Sequence, residues 1–336
     1  MSRNFKMFLS QKTRFSYFFS IFIICSTVIL SLFLLLSNKH QLPRNVNYKI
    51  LRSAGYKRIS PILFAEPYVE SEHFLPMKNV ISVVIDSLKK AGNISAASVY
   101  IREFNEGQWC SIHPENTFHP ASLMKVLLLL THLKTAESSP DYLLKKIRFD
   151  LPDTVKINTQ FYSSSSLIQG QSYTMHELLY FRAAESDNYA TKILWDCADG
   201  AKIQQLVEAL GFPPLKGKEE DFVVTAAIYS NLFKIIYNAS YLSPEYSEYA
   251  ADLLSNCSFK GGLSSGFPAS ISKWHKYGEW ENQGFESELH DSGIVEVDGR
   301  PFLITVMTRG KNIEKLSASI KRIAQISYVK LVNFHP

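Results

Sequence analysis

Ser122-Leu123-Met124-Lys125, set within His119-Pro120-Ala121 and the run Val126-Leu127-Leu128-Leu129-Leu130, is the stretch on which the reading of this chain turns. A run so uniformly apolar reads as a helix buried on nearly all sides. A Ser and a Lys three residues apart face the same way on such a helix. A hydroxyl at the first turn also has unpaired backbone N–H groups around it, which can stabilise an oxyanion. The spacing by itself is weak, because a chain of this Ser and Lys content is expected to hold S-x-x-K about two or three times by chance. Ser87-Leu88-Lys89-Lys90 and Ser270-Ile271-Ser272-Lys273 fit it too, but neither opens an apolar helix.

Two further signatures follow in order. Ser186-Asp187-Asn188 interrupts two helical stretches, Thr174 to Ala184 and Tyr189 to Cys197, and belongs on the loop between them. Its bland reading is a helix N-cap, since all three residue types accept hydrogen bonds from unpaired helix N–H groups. Lys276-Tyr277-Gly278 lies in the aromatic, strand-like segment Ile271 to Trp280. The bland reading there is an edge strand with a solvated lysine. Trp274 and Trp280 share a face with Lys276 and Gly278, by the period of two, and either line a site or pack a core.

S-x-x-K, S-D-N and a K-T-G-like triplet in this order resemble the serine β-lactamase and penicillin-binding protein superfamily, closest to class A β-lactamase-like proteins, over roughly residues 75 to 335. The resemblance implies an α/β (α+β) fold of the β-lactamase/transpeptidase type: a five-stranded antiparallel sheet flanked by two terminal helices, with an all-helical lobe inserted between strands two and three. The element order agrees. Ala96 to Phe104 and Gln108 to Ile112 read as a hairpin, as do Ser292 to Val297 and Arg300 to Thr308 around Asp298-Gly299, and Asn312 to Asn333 is periodic like a helix.

The resemblance also implies roles. Ser122 is the nucleophile and Lys125 its activating base; Ser186 shuttles a proton to the leaving nitrogen, and Lys276 supplies positive charge. Asn188, Tyr277, Gly278 and Glu279 fall to substrate binding, with the backbone N–H groups of Ser122 and Glu279 as the oxyanion hole, and Asp187 fixes the loop. The expected partner is a small-molecule β-lactam or a D-alanyl peptide of peptidoglycan, handled through an acyl-enzyme. Two departures stand out. Tyr277 replaces the Thr whose small hydroxyl holds a substrate carboxylate in the family, and no E-x-x-L-N pattern surrounds Glu219 and Glu220, where a deacylating glutamate is expected. They leave open a second reading, a catalytically weak or inactive penicillin-recognising sensor.

Other chemistry is not visible. His113, His119 and His275 lie near the motifs without a third group to complete a Ser-His-Asp relay. No metal-ligand spacing and no phosphate-binding glycine loop occur, so no cofactor is expected. Of the formal net charge of +5, four units are Arg3, Lys6, Lys12 and Arg14, which leaves no basic face for nucleic acid. Residues 15 to 38 carry no charge and read as a transmembrane signal anchor, placing the rest outside the cytoplasm at a bacterial inner membrane or cell surface; a cleaved signal peptide is the rival. The expected division is a cytoplasmic basic segment 1–14, the anchor 15–38, a stalk 39–75 and the hydrolase domain 76–336. Cys110, Cys197 and Cys257 form an odd set outside the anchor, whose pairing stays open.

Overall fold

The computed structural model describes residues 26–27, 47–53, 61–150, 166–215, 222–281, 286–332 and 334. The chain divides into two compact units, Met1–Asn47 and Tyr48–Pro336, and the second holds the sheet and the helices. One expectation about the fold is corrected. No helix among the described residues is long and apolar enough to cross a membrane, so the N-terminal transmembrane helix is not supported. Apart from the helical pair Ser26 and Thr27, the segment 15–38 lies outside the described residues.

Two strands, β1 (Tyr48–Arg52) and β2 (Ile62–Pro67), pair antiparallel before helix α1 (Leu75–Lys90). The main sheet is built from β3 (Ala96–Glu103), β4 (Trp109–Ile112), β7 (Lys273–Trp280), β8 (Ser287–Val297) and β9 (Arg300–Gly310). Its order is β4-β3-β9-β8-β7, antiparallel throughout. Between β4 and β7 runs the helical lobe: α2 (Lys125–Ser138), the short pair β5 (Lys146–Arg148) and β6 (Ser172–Thr174), α3 (Met175–Ala184), α4 (Asn188–Cys197), α5 (Gly200–Ala209), α6 (Ala226–Tyr237), α7 (Pro244–Ser255) and the short α8 (Gly262–Gly266). Helix α9 (Ile313–Leu331) closes the chain. The five-stranded antiparallel sheet, the terminal helices and the inserted lobe are the architecture that the resemblance implied, except that the lobe carries the short β5–β6 pair and is not all-helical.

Helices cover both faces of the sheet, so its central strands are buried on both sides rather than alternating between core and water. The period of two still sorts their side chains. On β9, Leu303 and Met307 enter the core shared with α2, α3 and α6, while Phe302, Ile304 and Val306 enter the core against α1 and α9. The β8–β9 turn places Asp298 and Gly299 at φ 51° and 72°, the paired left-handed residues of a two-residue hairpin turn, as the Asp-Gly dipeptide predicts. Helix α2 is buried from Lys125 through Leu133, which explains its all-round apolar sequence.

A buried charge cluster fastens the β1–β2 hairpin to the body. Glu66 accepts from Lys234 of α6 at 2.8 and 3.0 Å and from Arg102 of β3 at 2.6 Å, and the Tyr100 hydroxyl also donates to it. Burial alone would raise the Glu66 pKa, but Lys234 and Arg102 outweigh it and hold the carboxyl below its usual value. Burial in turn pushes Lys234 down to about 8. Removing one member of such a cluster strands the others as uncompensated charges. Glu66→Ala is therefore expected to lower unfolding stability by about 3 to 5 kcal/mol in chemical denaturation; a loss under about 1 kcal/mol would show that the cluster does not hold the hairpin.

Candidate active site

Ser122 lies in a 3₁₀ turn, Ala121–Met124, that feeds directly into α2. The turn is held in a conformation that residues other than glycine rarely adopt, with Ala121 at φ 48°. What over-determines it comes from the sheet. A Cβ on Gly278 of β7 would sit 2.8 Å from Leu123 N and 2.9 Å from Pro120 O, so only glycine lets the strand pass this close beside the Ser122 turn. From α6, the Tyr229 hydroxyl donates to Leu123 O at 3.1 Å.

The loop entering the turn is clamped by β8 and β9. His119 N donates to Glu288 Oε2 at 2.8 Å, and His290 Nε2 lies 2.9 Å from His119 O, which it can meet only as a donor. Arg309 donates to Glu288 Oε1 at 2.7 Å and to Thr117 O at 2.9 Å. Burial works to raise the Glu288 pKa, but hydrogen bonds from His290 and Arg309 outweigh it and keep the carboxyl ionised. The His119 ring stacks on Trp280 with centroids 4.2 Å apart. This clamp was not foreseen from sequence; its one signal is a Glu and a His at interior positions of a central strand.

Four predicted residues meet through direct hydrogen bonds. Lys125 Nζ donates to Ser186 Oγ at 3.1 Å, to Asn188 Oδ1 at 2.7 Å and to the Ser186 carbonyl. Lys276 Nζ donates to Ser186 Oγ at 2.8 Å and to Tyr277 O at 3.0 Å. Two ammonium groups thus use both acceptor positions of one hydroxyl, leaving its own proton for donation. Ser186 reaches between them because its backbone is left-handed, φ 56°. Asp187 turns away from the cluster: its Oδ1 caps α4 at Ala190 N, 2.6 Å, and its Oδ2 accepts from Leu167 N at 3.4 Å and from Ser166 Oγ. The N-cap reading of this triplet therefore holds for Asp187, while Ser186 and Asn188 face the lysines.

Burial is the first cause that pushes Lys125 well below the usual lysine pKa, followed by the positive charges of Lys276 and Arg182. Burial likewise pushes Lys276 down to about 8, while Cys257 and Asp291 oppose the shift. Tyr277 is wholly buried; its ring stacks on Phe259 with centroids 4.6 Å apart, and the Lys276 ammonium lies 4.2 Å from its centroid. Beside it lies a second cluster missed from sequence. His275 Nδ1 is 2.8 Å from Asp291 Oδ1, and Asp291 Oδ2 accepts from Leu263 N at 2.9 Å. Burial opposes charge on His275, but Asp291 and Cys257 raise it to about 10; burial would raise Cys257, but His275 outweighs it and lowers the thiol.

The remaining sequence candidates fall elsewhere. Ser87 is exposed on α1 and Ser270 in a turn before β7, so neither rival S-x-x-K has a buried lysine pair beside it. Glu219 and Glu220 lie outside the described residues. Among the described residues no cluster of His, Cys, Asp and Glu could hold a metal ion, and Cys110, Cys197 and Cys257 are free thiols.

The fold is that of the serine β-lactamase and penicillin-binding protein superfamily, of class A type, and solved structures agree on it. A point mutant of PBP-A, described as an acyl-enzyme complex with penicillin G, superposes with a TM-score of 0.64 at 18% identity, over 77% of this chain and 97% of that one. A β-lactamase from Chitinophaga pinensis DSM 2588 gives 0.65 at 20% identity, over 76% and 99%. A variant of the last common ancestor of Gram-negative class A β-lactamases gives 0.64 at 19%, over 76% and 100%. No curated protein matches the chain significantly. The model of the beta-lactamase enzyme family matches residues 77–331, and the chain belongs to that family.

The close approach at residue 278 gives a direct check. Gly278→Ala forces backbone atoms apart and is expected to cost about 1 to 3 kcal/mol of stability while displacing the Ser122 turn. Thermal unfolding should show the loss; a variant that melts like the parent would mean that β7 does not hold the turn.

Proposed function

We propose that the protein is a serine hydrolase or acyltransferase that takes an acyl group onto Ser122 Oγ from a β-lactam or a D-alanyl peptide. The observation that carries this reading is the meeting of two buried ammonium groups at the Ser186 hydroxyl. A serine hydroxyl is a weak nucleophile at neutral pH and needs a nearby base. Lys125 suits that task because its surroundings disfavour its ammonium form. It takes the Ser122 proton as Oγ attacks the carbonyl carbon. The oxygen of that carbonyl gains the negative charge, beside the amides of Ser122 and Glu279.

When the carbon–nitrogen bond breaks, Ser186 donates its proton to the departing nitrogen and recovers one from Lys125, so that the lysine returns to its starting state. Lys276 keeps its charge throughout and lowers the energy of the anionic centre. Tyr277 supplies no small hydroxyl, and with Asp291 and the Cys257 thiol behind it the site offers an anionic substrate terminus chiefly the Lys276 ammonium. Acylation of PBP-A by penicillin G, on the same fold, supports a β-lactam as the acyl donor here. The packing of Tyr277 on Phe259 favours the rival reading, a binding module that recognises β-lactam without turnover.

Labelling with a fluorescent penicillin separates the two. Ser122→Ala should abolish covalent labelling while Ser87→Ala leaves it intact, and Lys125→Ala should slow it by about 100-fold or more. Equal labelling of the Ser122 variant would remove the nucleophile assignment, and binding without any covalent product would establish the sensor. The labelling rate should also be bell-shaped in pH. It rises as Lys125 gives up its proton, and it falls above about 8 as Lys276 loses the charge the reaction needs. A rate still climbing at about pH 10 would contradict the role of Lys276.

A further inference from the structure

We propose that Arg182, a buried guanidinium behind Lys125 with no counter-ion among the described residues, is a positioning residue that sets the protonation of the Lys125 amine. The inference rests on the reading of Lys125 as the base that activates Ser122. Arg182 lies on α3, one turn before the Ser186 loop, and is 2% exposed. Its Nε donates to the Lys125 carbonyl at 2.9 Å, and its Nη1 is buried without a partner among the described residues. Burial is what lowers its own proton affinity. A buried cation in this state is costly, and an apolar side chain of similar volume among Leu178, Leu179 and Ala183 would pack the position without that cost.

The charge is felt where the chemistry lies. Arg182 acts to depress Lys125, Lys276 and, one helical face along α2, His132. The charged groups facing Lys125 are Lys276 and Glu279 from β7, Arg182 from α3 and Asp187 from the turn before α4. Those facing Lys276 are Cys257, Asp291, Arg182 and Glu279, together with Lys125 on the same Ser186 oxygen. Asp187 is occupied in capping α4. Burial pushes the guanidinium down as well, but arginine holds its proton far more tightly than lysine, so the lysine yields first. Without Arg182, Lys276 is left as the one named cation opposing a proton on Lys125.

The test compares Arg182→Met, which keeps volume and removes charge, with Arg182→Lys, which keeps the charge. The Lys125 midpoint is read directly by NMR titration of ¹³Cε-lysine, with Lys125→Met assigning the signal, and the pH dependence of fluorescent-penicillin labelling is read alongside. In Arg182→Met the Lys125 midpoint and the acid limb of the rate profile should both move up by about one pH unit or more, so that labelling at neutral pH falls roughly tenfold and recovers on the alkaline side. Arg182→Lys should hold the midpoint low. An unmoved Lys125 midpoint in Arg182→Met overturns the proposal, as does an equal fractional loss of labelling at every pH, which is the mark of a merely structural role. A midpoint that shifts as expected in a protein that never labels would instead sustain the electrostatic assignment and sink the acyl-enzyme reading.

Discussion

Two ammonium groups converging on one serine oxygen, out of contact with water, is the constraint around which this structure is arranged. Two unit charges about 4 Å apart repel by about 4 kcal/mol at an effective dielectric constant near 20. The protein sustains that repulsion through hydrogen bonds: Asn188 and the Ser186 carbonyl take the remaining protons of Lys125, and Tyr277 O takes one from Lys276. The strain that cannot be relieved is relieved chemically, by a lysine that gives up its proton easily. Low basicity of Lys125 is thus a consequence of packing, and the same packing makes it useful.

The rest of the fold serves to hold the partners of that contact. The left-handed backbone at Ser186 presents its hydroxyl and carbonyl together, and the Asp187 cap fixes the loop from which they come. Gly278 brings the strand bearing Lys276 against the turn bearing Ser122. Behind the strand, Asp291 and Cys257 work to raise the Lys276 pKa against its burial, while Lys276 and Arg182 add to burial in depressing Lys125. Two lysines that donate to one oxygen are thereby given unlike electrostatic surroundings.

Much of this was legible in the sequence, for reasons that differ by residue. The α2 helix announced itself because a helix buried all round must be apolar all round, and the β8–β9 hairpin because Asp-Gly suits two left-handed residues in succession. Lys125, Ser186 and Lys276 were singled out through the order of their motifs, which encodes distance along the chain, and the fold brings their side chains together. Arg182, Glu288 and the His275–Asp291 pair escaped because nothing local distinguishes them from the other polar residues of their elements, and the partner of each lies on another strand or helix. Tyr277 was expected at a substrate surface, and it is instead wholly buried against Phe259, a contact between distant segments that no spacing rule encodes. The transmembrane helix drawn from residues 15 to 38 has no counterpart among the described residues.

The most direct test of the central claim is a crystal structure of the protein after exposure to penicillin G. An ester from Ser122 Oγ to the opened lactam carbonyl, with the carbonyl oxygen between the amides of residues 122 and 279 and the lactam nitrogen facing Ser186, is the result expected. A ligand bound without a covalent bond, or an adduct on any other side chain, would contradict the account.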